Sequence, residues 1–276
     1  MTSDIRQKFA ELSTLPDSQI NIDEAALLIA AEDEDQIDVH SAVKHYLAEL
    51  DHYADSFNSF RKGNEAPVTS LVNYIHGELS FSGNISDYYD PANSYLNRVI
   101  ENRRGIPISL ALIHLTIGSR LDLPVCGISF PGHFLVKYKT SEEIIVDPFS
   151  GRKLSPADCQ TLLRQIAGPK ANLKKEYFDE AGPRDILIRM LDNLKQIFWR
   201  EKRWDKSKAC LDRQLLLLPD RDEFTIQLGA VYEMQGDKSL AQHTYTQVLQ
   251  MASDKKVKDL AARRLLALEG PPPLLH

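Results

Sequence analysis

Cysteine is scarce in this sequence, and the few cysteines follow no binding pattern. The 276 residues include three, Cys126, Cys159 and Cys210, an odd number without a C-x-x-C pair. Such usage fits neither a disulfide framework nor a zinc ribbon. We therefore expect a reducing, cytoplasmic location.

Long apolar runs and an excess of positive charge are also missing. The most apolar stretch, 106–117, is well short of the roughly 20 residues that a membrane helix needs, and the N-terminus has no apolar signal segment. The 33 basic residues are outnumbered by 39 acidic ones, which gives a net charge of −6. Because phosphate backbones attract basic surfaces, we expect no nucleic-acid partner and no membrane anchor.

Motifs that hold cofactors and metals are missing as well. The sequence contains no glycine-rich phosphate loop and no dinucleotide fingerprint, so we expect no cofactor. His40, His45 and His52 lie near an acidic run, which suggests a metal site. On a helix, however, the step from His40 to His45 turns about 140°, so the three side chains do not converge. The acidic run is better explained as a solvated face.

The remaining composition is that of a folded protein, with 43% hydrophobic and 26% charged residues. The length suits one large or two ordinary domains. Residues 1–92 show apolar positions at helical spacing and predict a helical region packed on a core at 93–167. A glycine- and proline-containing segment at 168–183 is a candidate linker to a C-terminal module at 184–270.

The middle of the chain changes from helix to strand. Pro107 suits the first turn of a helix, and three short β-type runs follow that helix. These runs are 125–130, 133–139 and 143–146. A hairpin centred on Thr140 would place His133 directly opposite Asp147, on the same face of the sheet.

Ser109, near the start of the helix, completes a set with the logic of a nucleophile, a base and an orienting acid: Ser109, His133 and Asp147. Each residue also has a structural explanation. Ser109 is a candidate helix cap, His133 a turn residue, and Asp147 a strand-end residue before a proline. The spacing alone leaves both explanations open.

The C-terminal module shows a period of 34 residues. The shift aligns Leu194 with Leu228, Phe198 with Tyr232, Ser207 with Ala241, and Leu211 with Tyr245. Period and residue types are those of tetratricopeptide helix pairs. They predict two repeats, 188–221 and 222–255, and a capping helix at 256–268, with an ordinary helical bundle as the alternative.

Three segments resemble a known family. They are NSYLNRVIENRRGIPISLALIHL, LDLPVCGISFPGHFLVKY and VDPFSG. They resemble the transglutaminase-like core of the bacterial SirB family, which joins this core to C-terminal tetratricopeptide repeats. A related core is attached to an F-box in eukaryotes. The resemblance implies an α+β fold, with His133 and Asp147 on the histidine and aspartate of the catalytic triad and Ser109 where active relatives carry the nucleophilic cysteine.

The serine decides which function the resemblance implies. A helix N-terminus and a neighbouring imidazolium bring a thiol into its thiolate range, whereas a hydroxyl has no comparable anion near pH 7. Our first hypothesis is a cytoplasmic interaction or regulatory protein with a degenerate core and a repeat module that binds a protein or peptide. The second is a hydrolase or acyl-transfer enzyme that uses Ser109, His133 and Asp147.

Two further features have alternative explanations. Cys126 does not replace the missing nucleophile, because a cysteine in an apolar strand is usually a small hydrophobe. Arg103 and Arg104 either bind an acidic partner or are surface charge. The sequence predicts no particular oligomeric state.

Overall fold

The computed structural model describes residues 2–34, 38–61 and 65–269, and the chain divides into two compact units, Met1–Met190 and Leu191–His276. The first unit combines helices with a small antiparallel sheet, and the second is helical. The predicted α+β class is confirmed. The described segments contain no helix with the length and apolarity that a membrane crossing requires.

The first unit contains seven complete helices in its described residues. They are α1 (Thr2–Ser13), α2 (Ile22–Asp33), α3 (Val39–Phe60), α4 (Pro67–Asn73), α5 (Leu96–Asn102), α6 (Pro107–Arg120) and α7 (Pro156–Ala167). A π-helical turn, Tyr74–Glu78, follows α4 directly. Helix α8 (Pro183–Arg200) begins in this unit and ends in the second.

Helix α6 forms the centre of the first unit. Every residue from 107 to 118 is buried, because α6 packs against helices α2, α3 and α5 and against the sheet. Pro107 occupies the first turn, where its missing N–H costs no hydrogen bond. Near the other end, a Cβ on Gly118 would lie 2.9 Å from Val125 Cγ1, so the glycine permits the close approach of helix and sheet.

The main sheet has five antiparallel strands in the order β6-β5-β4-β3-β7. The strands are β3 (Val125–Ile128), β4 (Leu135–Lys139), β5 (Glu143–Asp147), β6 (Arg152–Leu154) and β7 (Glu180–Ala181). A separate parallel pair joins β1 (Ser82–Gly83) to β2 (Arg104–Gly105). Strand β7 comes from the segment 168–183, so this candidate linker supplies one edge of the sheet. The division of the first unit at residues 92 and 167 stays a prediction.

The register of the β4–β5 hairpin differs from the prediction. Lys139 pairs with Glu143, so the hairpin is centred on Ser141 and the predicted centre at Thr140 is wrong. The Thr140 hydroxyl donates a hydrogen bond to the Glu142 carbonyl at 2.5 Å, which places Thr140 in the connecting loop. Strand β4 begins at Leu135 and pairs with β5 from Val136 onward, so His133 lies just before the strand. Each residue of β4 pairs with a β5 residue two positions later than predicted. Because this shift is an even number, every side chain stays on the sheet face that was predicted for it.

Up to residue 269, the second unit contains the end of α8 and four more α-helices. They are α9 (Trp204–Leu217), α10 (Asp222–Gln235), α11 (Lys238–Met251) and α12 (Lys255–Glu269). A Cβ on Gly229 of α10 would lie 2.5 Å from the Tyr245 ring of α11, so the two helices pack closely at this point. Gly229 and Tyr245 lie at nearly equal distances along the chain from the short turn between the helices, as expected for an antiparallel helix pair.

Candidate active site

A tight turn presents His133 at the start of β4. The His133 amide donates a hydrogen bond to the Phe130 carbonyl at 3.0 Å, across Pro131 and Gly132. Gly132 has a φ of 66°, and a proline followed by a glycine with positive φ is typical of a type II turn. The sequence therefore fixes the position of the imidazole through local turn chemistry.

Asp147 ends β5, and its carboxylate holds both His133 and the following loop. Asp147 Oδ1 accepts hydrogen bonds from His133 Nε2 at 2.9 Å and from the Phe149 amide at 2.9 Å. Asp147 Oδ2 accepts one from the Ser150 hydroxyl at 2.7 Å. The predicted contact between His133 and Asp147 is confirmed. Both side chains are largely buried, with exposed fractions of 13% and 14%.

The hydrogen bonds define the charge of this pair. Burial alone would raise the pKa of Asp147, but the bonds from His133, Ser150 and the Phe149 amide hold the pKa below its ordinary value. Asp147 is therefore a carboxylate at neutral pH. Since His133 Nε2 donates to this carboxylate, Nδ1 is the ring nitrogen left to act as an acceptor. This is the arrangement of a base and its orienting acid.

Ser109 is held differently. Its side chain is fully buried, and its hydroxyl donates to the Asn93 carbonyl at 2.5 Å and to the Ile106 carbonyl at 3.1 Å. The same oxygen accepts from the Ile106 amide at 3.1 Å. In the described ranges Ser109 makes no hydrogen bond to His133. The structure thus brings His133 and Asp147 together, while Ser109 joins the start of α6 to the loop before α5.

Cys126 lies on β3 and is partly exposed. Burial is the main cause that raises the pKa of its thiol, and the nearby Glu180 raises the pKa further. A thiol with a raised pKa is a poor nucleophile at neutral pH. Lys137 and Lys139 act in the opposite direction, but the net shift is upward, contrary to what a catalytic cysteine needs.

A buried chain of three polar side chains lies close to the Asp147 loop, and sequence reasoning missed it. His76 Nδ1 is 2.9 Å from the Phe81 carbonyl oxygen, and His76 Nε2 is 2.9 Å from His114 Nε2. His114 Nδ1 is 2.8 Å from the Tyr138 hydroxyl. Burial lowers the pKa of both histidines, and for His114 the neighbouring His76 adds to this effect. Both rings are therefore neutral at pH 7.

The neutral rings permit one direction of donation along this chain. A carbonyl only accepts, so His76 Nδ1 carries a proton and donates it to Phe81. His76 Nε2 must then accept from His114 Nε2. His114 Nδ1 in turn accepts from the hydroxyl of Tyr138. Every polar atom of the rings is satisfied, as a buried network requires.

This chain also supports the Asp147 loop. Gly151, whose amide donates to the Asp147 carbonyl at 2.8 Å, has a φ of 70°. A Cβ on Gly151 would lie 2.6 Å from His76 Cγ, so the loop packs directly on the His76 ring. The one sequence signal was a polar His114 inside the apolar run of α6. Its partner His76 is 38 residues away and shares no spacing motif with it.

Neither the His133–Asp147 pair nor the His76–His114 pair belongs to a larger cluster of potential metal ligands among the described residues. Among the described residues, no group of three or more histidine, cysteine, aspartate or glutamate side chains is arranged to hold a metal ion.

Comparison with known proteins connects this geometry to a family. The family model described as "Transglutaminase-like superfamily" matches residues 44–192, which include α6, the His133 turn and the Asp147 loop. The chain belongs to the transglutaminase-like superfamily. The match also includes most of α3 and the β7 edge.

The transglutaminase-like chain has relatives in bacteria and animals. It is 33% identical to a UPF0162 protein of Xylella fastidiosa, with 94% of each chain covered. It is 27% identical to protein SirB1 of Salmonella typhimurium, with 60% of this chain and 62% of SirB1 covered. It is 29% identical to human F-box only protein 21 over 61% of this chain, which corresponds to 28% of that protein. These relatives support the predicted SirB-like family. No solved structure matches the chain.

Proposed function

We propose that this transglutaminase-like protein is a cytoplasmic interaction or regulatory protein whose core has lost acyl-transfer chemistry. One observation carries the proposal. The Ser109 hydroxyl is fully buried and donates to the Asn93 carbonyl at 2.5 Å. A nucleophilic serine must instead give its proton to a base within hydrogen-bond reach. A hydroxyl that bridges two backbone segments explains why serine is present without any catalytic role.

The C-terminal unit supplies the interaction module in this proposal. The 34-residue period, the close contact of Gly229 with Tyr245, and the fully buried Ala241 all support tetratricopeptide-type packing. Stacked helix pairs of this kind present a concave surface that accepts a peptide or a helix. The expected partner is therefore a protein segment bound by the repeats.

Chemical labelling tests the loss of activity. A serine-directed acylating probe should leave Ser109 unlabelled in the native protein. In a Ser109→Cys variant, the thiol lies near a helix N-terminus, and its alkylation rate measures whether the geometry activates a nucleophile. The parent protein provides the matched control, since Cys159 and Cys210 are buried and Cys126 is partly exposed. We expect an inert serine and a thiol that reacts no faster than Cys126.

The second candidate is a hydrolase or acyl-transfer enzyme with Ser109 as its nucleophile. The intact His133–Asp147 pair favours this candidate, because His133 Nδ1 is left as an acceptor. It predicts that Ser109 is labelled and that the labelling disappears in a folded His133→Ala variant. That result would replace the interaction proposal with the enzyme.

A further inference from the structure

Arg103 has an unusual backbone conformation. It caps the C-terminus of α5 with a φ of 56°, in the left-handed region that residues with a Cβ rarely adopt. The Ser82 amide donates to the Arg103 carbonyl at 3.0 Å, next to the β1–β2 pair, and this bond helps to hold the conformation. Strained residues of this kind concentrate at functional sites. Here the left-handed residue ends α5 and leads the chain directly into β2.

The guanidinium of Arg103 makes cation–π contacts with two aromatic rings. Its central carbon lies 4.7 Å from the ring centroid of Tyr53 and 4.7 Å from that of Phe81. Cation–π contacts of this kind position the group but use none of its five N–H donors. The Arg103 Nη1 atom is buried and has no hydrogen-bond partner in the part of the chain that the structure describes, while the guanidinium also lies close to the Tyr53 hydroxyl.

The neighbouring Arg104 provides a contrast. Its Nη1 atom donates to the Ser82 hydroxyl and to the carbonyls of Ser80 and Arg103, so its charge is solvated by the β1–β2 region. Of the two adjacent arginines, only Arg103 therefore has a buried N–H donor without a hydrogen-bond acceptor among the described residues.

Tyr53 presents a second donor beside Arg103. The residue is 3% exposed, and its buried hydroxyl lies close to the Arg103 guanidinium and the Glu49 carboxylate without a well-formed hydrogen bond to any described residue. Arg103 and Tyr53 both line an open cleft of about 850 Å³, together with Phe60 and Tyr74. Buried polar groups are nearly always satisfied, so two unsatisfied donors in one cleft indicate a ligand that accepts from both. A carboxylate matches the fork of a guanidinium.

The other charged groups of the cleft limit what this ligand is. Glu49, Glu65 and Glu78 line it, and Glu65 is engaged by the Ser70 hydroxyl at 2.6 Å and by Asn73 Nδ2 at 3.1 Å. The remaining carboxylates repel multiply charged anions such as phosphate. They attract a positive group on the same molecule as the bound carboxylate.

We propose that this cleft binds a ligand that carries one carboxylate and one ammonium group. The carboxylate pairs with Arg103 and Tyr53, the ammonium faces Glu49 and Glu78, and the aromatic rings contact the aliphatic part. Free basic amino acids and the C-terminal end of a chain that finishes in lysine share this chemistry. The residues that line the cleft include neither His133 nor Asp147.

Titration of the full-length protein tests the ligand class. The probes are L-lysine, L-glutamate, inorganic phosphate, and a short peptide that ends in lysine with either a free or an amidated carboxyl group. We expect saturable binding of L-lysine and of the free-acid peptide by calorimetry, and binding at least tenfold weaker for the amidated peptide, glutamate and phosphate. A peptide that binds tighter than L-lysine identifies a chain terminus as the source, and the reverse order identifies a free amino acid.

Substitutions assign the binding to the cleft. Arg103→Asn removes the guanidinium, and asparagine tolerates the left-handed conformation better than most residues do. It should weaken L-lysine binding at least tenfold, Tyr53→Phe should weaken it several-fold, and the matched Arg104→Asn should leave it unchanged. If Arg103→Asn does not fold, Tyr53→Phe decides alone, because it keeps the ring and removes only the hydroxyl. Absence of saturable binding by the parent, or equal losses in the Arg103 and Arg104 variants, would overturn the proposal.

Discussion

At the scale of single residues, Asp147 connects charge to stability. Its folded-state pKa is below the ordinary value of 3.8, so its hydrogen bonds contribute fully at pH values above 3.8 and are lost as pH falls through the folded pKa. Asp147→Asn should therefore cost ~1 to 3 kcal/mol at neutral pH and less in acid. Denaturant unfolding of parent and variant at pH 7 and pH 3 measures the difference. An equal difference at both pH values would contradict this prediction.

Removal of the His133 side chain tests how far its hydrogen bond lowers the pKa of Asp147 and stabilises the protein. His133→Ala removes one hydrogen bond from a largely buried carboxylate, so the pKa of Asp147 should rise and the protein should lose ~1 to 3 kcal/mol of stability. An NMR titration of the Asp147 carboxyl follows the pKa. The exposed His40 provides the control, since His40→Ala should change stability by less than about 0.5 kcal/mol.

Ser109 makes a structural contribution that can be separated from any chemistry. Ser109→Ala leaves the Asn93 carbonyl and the Ile106 amide without the hydroxyl between them, at a cost of ~1 to 3 kcal/mol. Thermal unfolding followed by circular dichroism measures this loss. A variant as stable as the parent would mean that the hydroxyl is not needed to join α6 to the loop before α5.

At the scale of secondary-structure elements, local patterns predicted the β4–β5 hairpin but not its register. Alternating apolar residues place the two strands, and an even shift leaves their faces unchanged. The position of the turn depends on a side-chain bond of Thr140, which the strand pattern does not contain. The His133–Asp147 contact was predictable because both residues lie at ends of neighbouring strands. The His76–His114 contact was not, since it joins distant elements.

The α10–α11 contact gives a test of the repeat packing. A Cβ on Gly229 would lie 2.5 Å from Tyr245 Cε1, so Gly229→Ala should overpack the helix pair and cost ~1 to 3 kcal/mol. The better helix propensity of alanine offsets up to about 1 kcal/mol of this cost. Gly77→Ala is the matched control, because a Cβ there meets nothing within 4 Å. Equal melting temperatures for the two variants would count against the assigned packing.

At the scale of the whole molecule, the two units have separate apolar clusters. One includes Ile128, Phe130 and Leu135 of the sheet, and another includes Ala241, Tyr245 and Val248 of the C-terminal helices. Units with their own cores are expected to depart from two-state unfolding. The family resemblance predicted a helical module after the core, and the described C-terminal residues are helical, but the resemblance did not place the boundary between the two units inside α8.

Tryptophan fluorescence can test this separation. Both tryptophans, Trp199 and Trp204, belong to the second unit, whereas far-ultraviolet circular dichroism reports on all helices. We expect the two signals to give different denaturant midpoints. Gly229→Ala should lower the denaturant midpoint seen by fluorescence and leave the unfolding transition of the first unit, seen by circular dichroism, unchanged. Coincident curves in both proteins would show one cooperative unit.

The buried chain from Tyr138 through His114 to His76 has a further consequence for how the protein forms. In the unfolded chain both histidines have ordinary pKa values near 6.5 and carry protons in weakly acidic solution, whereas in the native protein burial lowers both pKa values and the rings bind fewer protons. Folding below about pH 6 therefore expels protons into the solvent. The heat of folding then depends on the buffer that absorbs them. An indicator dye in a weakly buffered stopped-flow experiment would record the moment at which this part of the core closes.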